Sequence, residues 1–261
     1  MNKQCHSGFT LAEMAIVLVI VGLLLGGLIV PLSAQMDARD RSETQKALAD
    51  AREALIGFAI VNGRLPCPAD RTISTGNFNA GIEATTAAGG PCACTTTTSG
   101  IARAAVATVC SDTIPGGVTG VLPWATLGLP ETDGWNNRYS YRITTRFGRV
   151  ASGQSIFGCT PSANPVNAAF ALCSQGDISI AINAGGTVIA SNLPAVVVSH
   201  GKNGLGAWLP NGTQIAGASG DELENGNSDA SFVSNTSIDD QLIWVSPPLL
   251  MNRMIAAGKL P

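Results

Sequence analysis

Charged and aromatic side chains are both scarce in this chain. Of its 261 residues only 13% are Asp, Glu, Lys or Arg and 5% are Phe, Trp or Tyr, and the formal net charge is -3. No basic patch is available to meet a phosphate backbone, which excludes nucleic acid as a partner, and no charge run marks a disordered tail. Histidine is scarcer still, with two in the chain, His6 and His200. The sequence has no GxSxG elbow, no phosphate-cradling glycine loop and no dinucleotide fingerprint. His200 follows Ser199 directly, but neighbours on a strand point to opposite faces and cannot form a hydrolase pair. His200 therefore reads as a turn residue, and the chain does not read as an enzyme.

A long apolar run stands near the N-terminus. From Met14 through Val30 no residue is charged, which meets the lower limit of about 17 residues for a membrane span. Glu13 sits at the front of this run. A charge at membrane depth costs roughly 2.5 kcal/mol or more, so Glu13 requires a partner or a job. The run is too long for a cleaved secretory signal, and Leu32-Ser33-Ala34 has a bulky residue where a small one belongs. Cys5 precedes the run, whereas a lipid-attachment cysteine follows one. Lys3 lies before the span, which places residues 1–8 in the cytoplasm and everything after Val30 outside.

The wording Gly8-Phe9-Thr10-Leu11-Ala12-Glu13-Met14, continued to Pro31, resembles the start of the type IV prepilin family. That family includes type IV pilins and the pseudopilins of type II secretion. The resemblance implies a leader of residues 1–8, cut by prepilin peptidase between Gly8 and Phe9, and N-methylation of Phe9. It implies that Glu13 pairs with the N-terminal amine of a neighbouring subunit during filament assembly. It also implies a bacterial inner-membrane protein, single-pass, with its head in the periplasm before assembly. The implied partners are prepilin peptidase, other pilin or pseudopilin subunits, the inner-membrane assembly platform and membrane lipid.

Removal of the leader takes Cys5 away and leaves Cys67, Cys92, Cys94, Cys110, Cys159 and Cys173. An even set in an oxidising compartment predicts up to three disulfides, whose pairing the sequence does not choose. Cys92-Ala93-Cys94 has neither a nearby His nor a CxxC spacing, so a metal or redox role is disfavoured.

Behind the apolar run, Leu48, Ala51, Leu55, Phe58 and Ala59 recur at helical spacing among the charges of residues 37–61. Asn62-Gly63 supplies a stop, and Pro66 and Pro68 prevent continuation. One helix over 9–62 is therefore predicted, with Gly22 and Pro31 as its weak points. Residues 72–120, rich in Thr, Ala and Gly, read as a loop-rich insertion held by its cysteines. Alternating or apolar stretches at 139–144, 177–182, 186–190, 195–199 and 241–245 predict strands, and 248–257 a short helix. The fold expected is α+β and pilin-like. A long N-terminal helix, transmembrane in its first half, packs on a C-terminal antiparallel sheet with disulfide-bonded loops. The chain divides into the leader 1–8, the helix 9–62 and a β-rich head 63–261.

Three later stretches resemble the major pseudopilin of type II secretion. One is the helix exit, Asn62-Gly63-Arg64-Leu65-Pro66. Another is Leu127-Gly128-Leu129-Pro130 followed by Asp133-Gly134-Trp135-Asn136-Asn137-Arg138-Tyr139-Ser140-Tyr141-Arg142, in which Asn136 stands where the family has Gly. In the third, Gly201-Lys202-Asn203-Gly204 and Asp239-Asp240-Gln241-Leu242-Ile243-Trp244 resemble two segments that face each other across a calcium ion. The resemblance thus implies calcium, with Asn203 in the place of a loop carboxylate and Asp239 or Asp240 in the other. Asp221, Glu222, Glu224 and Asp229 lie between them. An EF-hand is excluded, because from Asp221 the twelfth place is Phe232 where Glu is required. The chain is expected to be a pseudopilin or minor pilin subunit of a type II secretion pseudopilus or type IV pilus. The alternative is a low-copy tip subunit acting as adhesin or substrate-recognition module.

Overall fold

The main helix begins on a reciprocal cap. Thr10 Oγ accepts from the Glu13 N–H at 3.3 Å, while Glu13 Oε2 accepts from the Thr10 N–H at 2.8 Å and from its hydroxyl at 2.9 Å. This capping box satisfies backbone donors that a helix start otherwise leaves open. From there α1 runs Leu11–Asn62, 52 residues, through Gly22 and Pro31. It ends at Gly63, whose φ of 70° is the left-handed cap conformation, with its N–H on the Ala59 carbonyl. Only glycine fits there: a Cβ would come within 2.3 Å of the Asn167 carbonyl oxygen. The computed structural model describes residues 10–85, 92–94, 108–109, 117–149 and 167–260, without side chains at 24–32, 93–94 and 108–109.

Glu43–Pro261 forms one compact unit. After the two-residue strands β1 (Ala93–Cys94) and β2 (Thr108–Val109) come β3 (Gly117–Val121), α2 (Trp124–Leu127) and β4 (Ser140–Thr144). Next are β5 (Ile178–Ala181), β6 (Val188–Leu193), β7 (Ala195–Ser199), α3 (Gly220–Gly226), β8 (Ser231–Val233), β9 (Gln241–Val245) and α4 (Pro247–Ala256). The main sheet has the order β3-β4-β7-β9 and is antiparallel throughout. A second sheet, β6-β5-β8, is mixed, because β5 and β8 pair in parallel. The single antiparallel sheet expected from the sequence is thus joined by a smaller one with a parallel pair.

All five residues of β7 are buried, and the alternation explains why. Ala195 and Val197 face a core built from Leu48, Leu55, Ile56 and Ala59 of α1, Tyr141 and Ile143 of β4, and Leu250 and Met254 of α4. Val196 and Val198 face Ile178, Ile180, Leu193 and Phe232 of the second sheet. A strand covered on both faces reads as a continuous apolar run rather than an alternating one. In the helix stripe Phe58 is only half-buried and Ile56 takes its place in the core. The Phe58 ring instead lies 5.3 Å from the Arg64 guanidinium.

The head is tied at two further points. Cys67 and Cys92 form a disulfide across 25 residues, and Cys173 is disulfide-bonded as well. The Cys94 side chain, Cys110 and Cys159 lie outside the described residues. Arg64, 5% exposed, forms a forked pair with Glu83 at 2.8 and 2.9 Å, and the Cys67 N–H also donates to Glu83. The last part of the predicted insertion is not loop: β3 is an edge strand of the main sheet.

Candidate functional site

Two places collect the residues singled out by the sequence. At the first, the N-terminus, Gly8 and Phe9 lie outside the described residues. Glu13 is held by Thr10 on the helix cap, beside a surface of exposed Leu11, Ile16, Leu18, Val19 and Leu23. Apolar side chains left uncovered over such a stretch mark a lipid or partner-facing surface. Among the described residues no helix is long and apolar enough to cross a membrane. The apolar run predicted to span continues into 24–32, whose side chains lie outside the described residues.

The second place is the end of the main sheet, where three sequence-distant motifs meet. Asp133 opens the turn before β4. Its Oδ1 accepts the N–H groups of Trp135 and Asn137, both at 2.9 Å, and its Oδ2 accepts the Ser199 hydroxyl at 2.6 Å. Asn136, where the resemblance expects Gly, has a φ of 68°. Asn is among the few residues that tolerate this region, so the turn survives the replacement. Asn137 Nδ2 then donates to the Gly201 carbonyl at 2.9 Å. Ser140 on β4 bonds His200 Nε2 at 2.8 Å.

His200 opens the turn after β7, its carbonyl accepting the Gly204 N–H, and its side chain is fully buried. It does not bond its neighbour Ser199, whose hydroxyl goes to Asp133. Its Nδ1 lies 3.9 Å from Asp240 Oδ2. Burial lowers the His200 pKa to about 4, against opposite pulls from the Leu205 backbone and Asp239. Burial raises Asp240 to about 7; its hydrogen bond from Asn225 pulls down, while Asp239 and Glu222 add to the rise. Asp133 is also raised, chiefly by burial. The imidazole is thus neutral and the Asp240 carboxyl half-protonated near neutrality.

Asn203 and Asp239 do meet: the Asn203 N–H donates to Asp239 Oδ2 at 2.8 Å. Asp240 is joined through Asn225, whose Nδ2 donates to Asp240 Oδ2 at 2.7 Å. The oxygens do not fit calcium, which takes about six to eight of them. Asn203 Oδ1 accepts the Leu205 N–H, and its Nδ2 faces Glu222 Oε1 at 2.6 Å. The His200 carbonyl accepts from Gly204 and the Gly201 carbonyl from Asn137. Two buried oxygens remain without a hydrogen bond, Asp239 Oδ1 and Asp240 Oδ1. Among the described residues no group of three or more His, Cys, Asp or Glu side chains is placed to hold a metal ion.

Of the parts of this centre, Asp133 and Ser140 enter the sequence reading only within the stretch that resembles the major pseudopilin, and Asn225 does not enter it. Asp133 carries a signal, since an aspartate opening a Gly- and Asn-rich turn accepts local N–H groups. Ser140 and Asn225 carry none, because their roles arise only where β4, β7 and α3 come together.

Residues 3–29 match the family model of the prokaryotic N-terminal methylation motif. Neither a curated protein nor a solved structure matches the chain. The matched segment holds Gly8, Phe9 and Glu13 and overlaps the start of α1, whose later turns contribute to the core of an α+β head. Over residues 3–29 the chain thus carries the N-terminal methylation motif, which supports a type IV prepilin-like protein with a pilin-like α+β head.

Proposed function

We propose that the protein is a pseudopilin or minor pilin, a structural subunit of a type II secretion pseudopilus or a type IV pilus. Prepilin peptidase cuts between Gly8 and Phe9 and Phe9 is N-methylated. The subunit waits in the inner membrane as a single-pass protein with its head in the periplasm. Glu13 then pairs with the N-terminal amine of a neighbouring subunit at the assembly platform. The observation that carries this reading is the methylation motif over residues 3–29, with Glu13 at the front of an exposed apolar helix surface. A carboxylate and an ammonium both surrounded by lipid neutralise one another at far lower cost than either alone.

A low-copy tip subunit, acting as adhesin or recognition module, is the second reading. It is favoured by the segment after Cys67, tied to the helix exit by the Cys67–Cys92 disulfide and the Arg64–Glu83 pair. Such staples hold a surface in place without a thick core beneath it.

Intact mass and filament composition test these readings. Gly8→Val is expected to leave the leader attached, and a mature mass unchanged by the substitution refutes the cleavage assignment. Glu13→Ala is expected to insert into the membrane yet fail to enter sheared filaments; normal incorporation refutes the pairing role. Copy number in purified filaments separates a shaft subunit from a tip subunit.

A further inference from the structure

We infer that the junction between the 200–206 loop and Asp239-Asp240 is closed by amide donors in place of a divalent cation, so that the head needs no calcium to hold this region. Where the carboxylates of Asp239, Asp240 and Glu222 of α3 converge on this loop, something must offset their mutual repulsion. Asn203 offers two donors to two carboxylates, its backbone N–H to Asp239 and its Nδ2 to Glu222. Asn225 supplies a third to Asp240, while its Oδ1 accepts the Val233 N–H at 2.8 Å and so anchors β8. Hydrogen bonds to ionised groups are stronger than neutral ones, which suits these amides to the task.

The space between the segments is also taken. Gly201, with a φ of 61°, lies so close that a Cβ there would come within 2.5 Å of the Asp239 carbonyl oxygen and 2.7 Å of its carboxyl carbon. Backbone therefore packs directly on backbone where an ion and its ligands would need room. The loop carbonyls of His200 and Gly201 are already accepting, from Gly204 and Asn137. An Asn in place of a carboxylate at 203 thus has a chemical consequence beyond one lost charge. It sets a side-chain donor, Nδ2 toward Glu222, beside an acceptor, Oδ1, that holds the Leu205 N–H, and so takes over the offsetting role of a cation.

Thermal unfolding of the full-length chain in detergent micelles tests this, with calcium alone as the probe. The wild-type Tm is expected to be the same in calcium and in chelator, and calorimetry to show no saturable calcium binding. A Tm that rises and saturates with calcium overturns the inference. Asn203→Asp removes the Nδ2 donor and sets a carboxylate against Glu222, so its Tm in chelator is expected to fall by roughly 2 to 5 °C. A variant as stable as the wild type overturns the inference. Should Asn203→Asp fail to fold, the double variant Asn203→Asp with Glu222→Gln restores one donor facing one acceptor. The double variant is expected to recover the wild-type Tm, and its failure to do so also overturns the inference.

Discussion

His200 and Asp240 make opposite demands on protons, and their separation is the sharpest prediction of the structure. In the unfolded chain His200 titrates at its ordinary value of 6.5 and Asp240 at 3.8; in the fold burial moves them to about 4 and about 7. A depressed histidine contributes stability that is present above pH 6.5 and lost as pH falls toward 4. A raised carboxyl contributes stability that is present below pH 3.8 and lost as pH rises toward 7. A tenfold change in proton affinity is worth about 1.4 kcal/mol, so the contributions amount to about 3 kcal/mol for His200 and about 4 kcal/mol for Asp240. Between pH 4 and 6.5 the two slopes oppose each other, because the unfolded chain holds the extra proton on His200 and the folded chain holds it on Asp240. The wild-type pair therefore adds little net pH dependence in this window. Asp240→Asn unmasks His200, and stability falls by about 3 kcal/mol as pH drops from 6.5 to 4. His200→Gln unmasks Asp240, and stability falls by about 4 kcal/mol as pH rises from 4 to 7. Asp239 faces both members of the pair and Glu222 faces Asp240. Urea unfolding followed by tryptophan fluorescence across pH 4 to 8 reads these slopes. Parallel profiles for the wild type and both variants would refute the reasoning.

Two further perturbations probe what holds the head. The Cys67–Cys92 bond closes a loop across 25 residues, and replacing both cysteines with serine is expected to cost about 3 kcal/mol, or roughly 6 to 12 °C in Tm. An unchanged melting curve would show that the insertion contributes nothing to stability. Arg138 is wholly buried, pairs with Glu131 at 2.7 Å, donates to the carbonyls of Arg71 and Pro210, and lies 4.8 Å from the Trp124 ring. Arg138→Met leaves these acceptors unpaired and is expected to cost about 3 to 5 kcal/mol by urea unfolding. Arg138→Lys, lacking the planar fork, should recover less than half of that loss.

Much of the fold was legible because its elements are locally patterned. The strands at β4, β5, β7 and β9 and the helix α4 lie within a residue or two of their predicted positions, since alternation and burial leave a mark in each short stretch. Strand β3 was hidden by its glycines. A Cβ at Gly117 would come within 2.7 Å of the Arg142 guanidinium, and one at Gly120 within 2.4 Å of the Ala69 carbonyl. Glycine in a strand marks close approach of another chain segment, and in a sequence it looks like loop. Strand β8 has three residues and pairs in parallel with β5 across a long connection, so no local pattern announces it.

The sequence by itself carried the N-terminal methylation motif over residues 3–29, because such a motif is a contiguous stretch: Gly8, Phe9, Glu13 and the apolar run are neighbours in the chain. It also determined the helix stop at Gly63, where backbone conformation is a local property. Only the tertiary structure decided what the polar residues of the head do. Asn203 reads as a metal ligand beside two aspartates, yet folding turns its donors toward Glu222 and Asp239 and packs Gly201 into the space between. His200 reads as a turn residue and does open the turn after β7, but only the fold buries its ring between Ser140 and Asp240. Partners brought together from β4, β7, α3 and the approach to β9 set these roles, and that proximity is absent from the linear chain.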